Sequence, residues 1–211
     1  MVDFNSLLHN EKVVPIAVVD DATTACKLAE LLIEHSFNIL EITLRTESAS
    51  DIIAEVTKRF PELVVGAGSV LDIHLYFKAI NAGAKFCVAP GCDEALLQIA
   101  GDGDVPFIPG IITPSELQLS LRYCTIIKIF PTGFFGLSYL PSLLAPFRLK
   151  EFSVIPTGGV NPENIENFLS LEKVIACGMS YIIHPDLIKD QNFEEIKSRI
   201  VKMRAILDKY A

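Results

Sequence analysis

The chain has 211 residues, half of them hydrophobic, so one compact domain spanning 1–211 with a sizeable core is expected rather than two independent ones. Eighteen basic against 26 acidic residues leave a net charge of −8, which argues against nucleic acid or a basic membrane-binding face; any anionic ligand must be held by local groups. The start, Met1-Val2-Asp3-Phe4-Asn5, lacks a basic n-region, and no apolar stretch approaches the ~18 residues that span a bilayer, so the expectation is a cytoplasmic soluble protein with no membrane partner.

Short β-branched runs recur with helical patterns between them. In chain order the strand candidates are 13–19, 39–44, 63–67, 85–89, 105–109, 125–130, 153–157 and 173–177. The segments that follow carry apolar residues at three- and four-residue spacing, as in Ala25, Leu28, Ala29, Leu32 and Ile33, or Ile165, Phe168 and Leu169. Helix entries show capping chemistry: Thr113-Pro114-Ser115-Glu116 has capping-box spacing with Pro at the first helical position, and Asn161-Pro162-Glu163 repeats the Asn-Pro entry. Asn81-Ala82-Gly83 and Arg59-Phe60-Pro61 read as exits, one through a residue tolerant of positive φ, the other through a proline. Continuous apolar strands alternating with helices describe parallel strands covered on both faces. Eight such units in one α/β domain favour a (β/α)8 TIM barrel, with an open doubly wound sheet as the alternative. In such a barrel the chemistry gathers at the C-terminal ends of the strands.

On the second strand candidate, Glu41-Ile42-Thr43-Leu44-Arg45 alternates polar with apolar. Period two puts Glu41, Thr43 and Arg45 on one face, and with helices on the outside that face points inward. A carboxylate and a guanidinium there form a candidate acid/base and anion-binding pair, or else a structural ion-pair network. The third strand runs into Gly66-Ala67-Gly68-Ser69; the third glycine of a dinucleotide fingerprint would fall at Leu71, so that reading fails. The glycines instead suit close backbone approach, and the Ser69 hydroxyl is available to a ligand or to cap a helix.

Lys128 lies within Ile126-Ile127-Lys128-Ile129-Phe130, an ammonium in an otherwise apolar strand. A charge there is costly unless it is neutralised, paired or facing a polar cavity, or unless the head snorkels out at the strand end. Desolvation is one route to a nucleophilic lysine that condenses with a carbonyl. Two glycine-rich strand exits follow, Pro156-Thr157-Gly158-Gly159-Val160 and Cys177-Gly178-Met179-Ser180. Backbone N–H groups exposed there could hold an anion such as phosphate, or the segments could be ordinary tight turns. The five cysteines (Cys26, Cys87, Cys92, Cys124, Cys177) form no C-x-x-C pair, and the histidines at 9, 35, 74 and 184 have no ligand spacing, so buried thiols and no metal are expected.

With these residues in hand, the chain resembles the bacterial 2-keto-3-deoxy-6-phosphogluconate aldolases, which include 4-hydroxy-2-oxoglutarate aldolase activity. The likeness covers nearly the whole chain and runs through Val14-Pro15-Ile16, Leu40-Glu41-Ile42-Thr43-Leu44-Arg45-Thr46, Val65-Gly66-Ala67-Gly68-Ser69-Val70-Leu71, Pro90-Gly91, Pro109-Gly110, Lys128-Ile129-Phe130-Pro131 and Pro156-Thr157-Gly158-Gly159. The resemblance implies a class I aldolase on a (β/α)8 barrel, a homotrimer acting on a small-molecule 2-keto acid with no cofactor. It implies that Lys128 forms the Schiff base, that Glu41 is the general acid/base, and that Arg45 binds the carboxylate. Ser69, Pro90 and Thr157 would line the substrate, and Gly158, Gly159, Gly178 and Ser180 the phosphate. Rival expectations are a phosphate-binding barrel isomerase or epimerase with Glu41 as base, and a non-catalytic phosphosugar-binding barrel. Three positions depart from the family pattern: Ser69 replaces the usual threonine, Met179 stands where a second glycine is common, and Thr132-Gly133-Phe134-Phe135-Gly136 replaces a more polar loop.

Overall fold

The computed structural model describes residues 3–210. In chain order the strands are β1 (Val13–Ala17), β2 (Ile39–Thr43), β3 (Val64–Gly68), β4 (Cys87–Val88), β5 (Phe107–Ile108), β6 (Gly110–Ile111), β7 (Ile126–Ile129), β8 (Ser153–Pro156) and β9 (Cys177–Met179). The helices are α1 (Phe4–Glu11), α2 (Ala22–Glu34), α3 (Ala49–Arg59), α4 (Ile73–Asn81), α5 (Glu94–Gly101), α6 (Pro114–Ser120), α7 (Tyr139–Leu144), α8 (Ile165–Leu169), α9 (Pro185–Lys189) and α10 (Phe193–Leu207). All strand pairs are parallel. They form a curled six-stranded sheet, in the order β5-β4-β3-β2-β1-β9, and a three-stranded sheet, β6-β7-β8.

The fifth strand candidate appears as two pieces because Pro109 has no N–H to give the ladder. Its first piece pairs with β4 and its second with β7, and the Pro109 carbonyl still accepts the Lys128 N–H at 2.8 Å. The eighth strand starts later than the sequence reading placed it. Lys173 sits at φ 69°, which breaks the extended run, so Val174 makes only an isolated bridge to Val154 and the strand proper begins at Cys177. The segment read as a glycine exit is thus mostly strand, and Gly178 bridges back to Thr157.

Capping chemistry sets the helix boundaries. Thr113 and Glu116 make the reciprocal capping box, and Asp21, Asp72 and Asp93 accept the third-residue N–H of α2, α4 and α5. At Asn161-Pro162 the helix starts later than expected. Asn161 accepts from the Glu163 N–H and Asn164 accepts from the Asn161 N–H, so local side-chain bonds hold a turn there and α8 begins only at Ile165.

Two apolar layers follow from the strands being buried on both faces. Outward residues such as Leu40, Ile42, Val65 and Ile127 pack with the helices. Inward residues Val14, Ile39, Phe86, Ile108, Ile126 and Ile155 form a second cluster, into which α1 inserts Leu8 with Leu7 and Phe4 alongside. Ile39 and Ile126 begin their strands, so α1 covers the end where the strands start. The opposite end is left to the loops that leave the C-terminal tips. No helix of the described residues is long and apolar enough to cross a membrane.

Candidate active site

Strand parity brings the polar residues to the inner face. Glu41 is the register partner of Ile16 on β1 and Gly66 on β3, while Lys128 pairs with Gly110 on β6 and Ile155 on β8. Both side chains are buried, Lys128 at 7% exposure and Glu41 at 4%, so the snorkelling alternative for the lysine does not hold. They meet at one cavity of about 10 Å³, walled by Val14, Phe86, Ile108, Ile155, Thr157 and Gly178. That volume suits about one water molecule.

The ion pairs within 4.0 Å among the described residues involve neither Lys128 nor Glu41. The structural-network alternative for Glu41 therefore has no direct partner. The Lys128 ammonium position lies 4.9 Å from the centre of the Phe130 ring. Burial pushes the Glu41 carboxyl above its ordinary value, and the charges of Lys128 and Arg45 pull part of the way back. A carboxyl whose proton is held more tightly than usual is suited to give a proton as well as take one.

Gly68 makes room for this carboxyl. A β-carbon at Gly68 would overlap Oε1 of Glu41 and lie 2.7 Å from its Cδ. Gly178 does the same for Thr157, whose hydroxyl a β-carbon there would strike. Composition and spacing gave the close approach but not what approached.

Arg45 lies beyond β2, exposed at the rim, and its Nε donates to Ser69 Oγ at 3.0 Å. Ser69 is held at φ 58° and caps nothing; Asp72 is the N-cap of α4. The capping alternative for Ser69 is thereby corrected: a left-handed residue turns the chain so that its hydroxyl faces the guanidinium. Pro90 follows β4, and its carbonyl fills the space that a β-carbon would need at Gly110, the register neighbour of Lys128. Thr157 ends the β8 run; its N–H donates to Ile129 O at 2.9 Å and to Thr132 Oγ1 at 3.1 Å. The Thr132 hydroxyl donates to Ile129 O at 2.7 Å. Thr132 so ties the exits of β7 and β8 together, a role with no signal in the sequence.

Gly158 and Gly159 turn with φ 90° and 81°, and Asn164 Nδ2 donates to the Gly159 carbonyl at 2.9 Å. Among the described residues the N–H groups of Gly159 and Val160 find no acceptor. Met179 keeps a negative φ as part of β9, with its side chain buried towards the helices. Ser180 is exposed just beyond β9. Phe134 and Phe135 stand out at 89% and 47% exposure, and Phe134 borders a recess shared with Phe130, Gly158, Gly159 and Phe168.

Residues 4–199 match the family model described as Aldolase: KDPG and KHG aldolase. The chain belongs to the KDPG/KHG aldolase family. Within that family it is 37% identical over 193 residues to the KHG/KDPG aldolase of Escherichia coli K12, covering 90% of each protein. It is 30% identical over 197 residues to the 2-dehydro-3-deoxy-phosphogluconate aldolase of Haemophilus influenzae, covering 92% of each. Among solved structures it superposes with a TM-score of 0.88 and 30% identity on the KDPG aldolase of Legionella pneumophila, covering 93% of this chain and 96% of that one. That crystal captured pyruvate at low pH as a covalent carbinolamine. It superposes with a TM-score of 0.85 and 30% identity on the aldolase of Zymomonas mobilis ZM4 with 3-phosphoglycerate, covering 97% and 96%.

Proposed function

We propose that this protein is a class I aldolase that cleaves 2-keto-3-deoxy-6-phosphogluconate to pyruvate and glyceraldehyde 3-phosphate, and 4-hydroxy-2-oxoglutarate to pyruvate and glyoxylate. The observation that carries the reading is a buried, unpaired lysine sharing a small interior cavity with a buried carboxyl of raised pKa, in a chain of this family. Lys128 attacks C2 of the keto acid, and loss of water from the carbinolamine leaves an iminium. Glu41, through one water, supplies the protons for that dehydration and then takes the proton of the C4 hydroxyl. The C3–C4 bond breaks, its electrons pass into the iminium as an enamine, and the aldehyde leaves. Protonation at C3 and hydrolysis return pyruvate and the free amine. Neither a metal nor a cofactor takes part in these steps.

Arg45 fixes the substrate carboxylate, with Ser69 holding the guanidinium in place, which orients the keto carbon to the amine. Pro90 and Thr157 line the same substrate. The N–H donors of Gly159 and Val160, which no protein acceptor takes, with Gly158, Gly178 and Ser180 around them, are the phosphate site; such donors hold an anion without a basic side chain. The two sheets close into one (β/α)8 barrel domain over the described residues 3–210, a reading supported by the continuity through Pro109 and by the Thr157–Gly178 and Val154–Val174 bridges. The protein works as a cytoplasmic homotrimer, for which exposed Leu71, Phe77 and Ile99 offer apolar contact surface. The testing experiment is aldol cleavage of both substrates followed by pyruvate release. Turnover of either, lost in Lys128→Ala, supports the reading; isomerised product without pyruvate, or binding without turnover of either substrate, contradicts it.

A further inference from the structure

Thr43, on the inner face of β2 with Glu41, has a hydroxyl that no hydrogen bond accounts for. Its side chain is 1% exposed, and its Oγ1 is buried without any partner. A buried hydroxyl left unpaired is a cost that native structures rarely carry without a reason. Parity places it on the same face as Ile39 of the inner cluster and Glu41, one step nearer the strand tips.

The register then says what lies opposite. Thr43 pairs directly with Gly68 on β3, and the position a Gly68 β-carbon would take is filled by the Glu41 carboxyl head. Neighbouring strands lie about 4.8 Å apart. The Thr43 side chain and the Glu41 carboxyl therefore lie about one inter-strand spacing apart, with no hydrogen bond between them.

We propose that Thr43 is a positioning residue for Glu41: its hydroxyl donates a hydrogen bond to the carboxylate when that group is charged and stands idle when it is protonated. The proposal rests on the aldolase reading above. Charged groups facing Glu41 come from two places, Lys128 on β7 and Arg45 beyond β2. The other strands around it present Val14, Gly68, Phe86, Ile108, Ile155 and Gly178, none of which titrates, and Thr157, whose hydroxyl already donates to the Ile155 carbonyl at 3.3 Å. Thr43 is thus the uncommitted uncharged donor near the carboxyl, able to favour the charged form during the step in which Glu41 must hold a negative charge. The proton stays on the threonine oxygen throughout, so no bond is made or broken at Thr43.

The test is the pH profile of kcat/KM for Thr43→Val, Thr43→Ala and Thr43→Ser, with thermal midpoints measured alongside. Without the hydroxyl the acidic limb should move up by about one pH unit, a tenfold change in proton affinity. Thr43→Val and Thr43→Ala should both show the shift, Thr43→Ser should restore the original profile, and Thr43→Val should melt no lower than the parent, since it removes an unpaired polar atom. A profile unmoved in Thr43→Val and Thr43→Ala, or a shift equally large in Thr43→Ser, would overturn the proposal. Borohydride labelling of the parent protein with pyruvate separates the two failures. A labelled parent with unmoved profiles sinks Thr43 alone, and an unlabelled parent sinks the aldolase reading and takes this proposal with it.

Discussion

Adding a single methyl at Gly68 should separate catalysis from stability in this fold. In Gly68→Ala the new carbon would lie 2.7 Å from Glu41 Cδ and 2.9 Å from its Cγ. Carbon contacts settle at ~3.5 Å or more, so the carboxyl head must retreat by roughly 0.8 Å at least. The obstructing atoms are the end of a side chain and not backbone, so the cost in stability falls at the low end of overpacking, about 1 kcal/mol. For a chain of this length that lowers the melting midpoint by about 2–4 °C. The cost in rate is larger, because a misplacement near 1 Å costs about 100-fold. Pyruvate-release kinetics and a thermal melt on the same preparation read both quantities. Gly68→Ala turning over at the parent rate would mean that the carboxyl beside Gly68 is not the group that moves the proton.

Four further outcomes are expected. Gly110→Ala should show the reverse ordering in a thermal melt, losing about 3 kcal/mol or more, because the added carbon meets the Pro90 and Ala89 backbone, which cannot give way. Glu41→Gln should keep imine formation with pyruvate yet lose about 10²–10⁴ of turnover; unchanged turnover removes Glu41 from its role. The same variant should be more stable than the parent at neutral pH. Burial raises the folded value of Glu41, so the unfolded chain releases that proton first and the parent loses stability as pH climbs from the ordinary glutamate range through the raised value; urea titrations should show the gap closing towards about pH 4. Finally, thiol reagents should reach Cys92 first in the folded protein, since it alone of the five cysteines is partly exposed while Cys26, Cys87, Cys124 and Cys177 are buried, and all five thiols should react once the chain is unfolded.

What the sequence disclosed and what it withheld divide along a physical line. Lys128 was legible because a charge inside an apolar strand conflicts with its surroundings, and Glu41, Thr43 and Arg45 because period two is read directly off consecutive residues. The strands were legible as β-branched runs, except where one residue's backbone broke the pattern: Pro109 split the fifth, and the positive φ of Lys173 delayed the eighth. Withheld were the facts that depend on residues distant in the chain. The overlap of Gly68 with the Glu41 head, the bond from Arg45 to a left-handed Ser69 and the Thr132 tie between β7 and β8 all follow from register between strands. The unpaired Thr43 hydroxyl belongs with them, since a threonine in a strand is ordinary until its neighbours are known.

The covalent role of Lys128 is tested most directly by incubating the protein with pyruvate and borohydride and mapping the product by mass spectrometry. A reduced pyruvyl adduct on Lys128, missing from Lys128→Ala and still formed, though more slowly, in Glu41→Gln, is the expected result. An adduct on some other lysine, or none at all from a protein that still releases pyruvate, would contradict it.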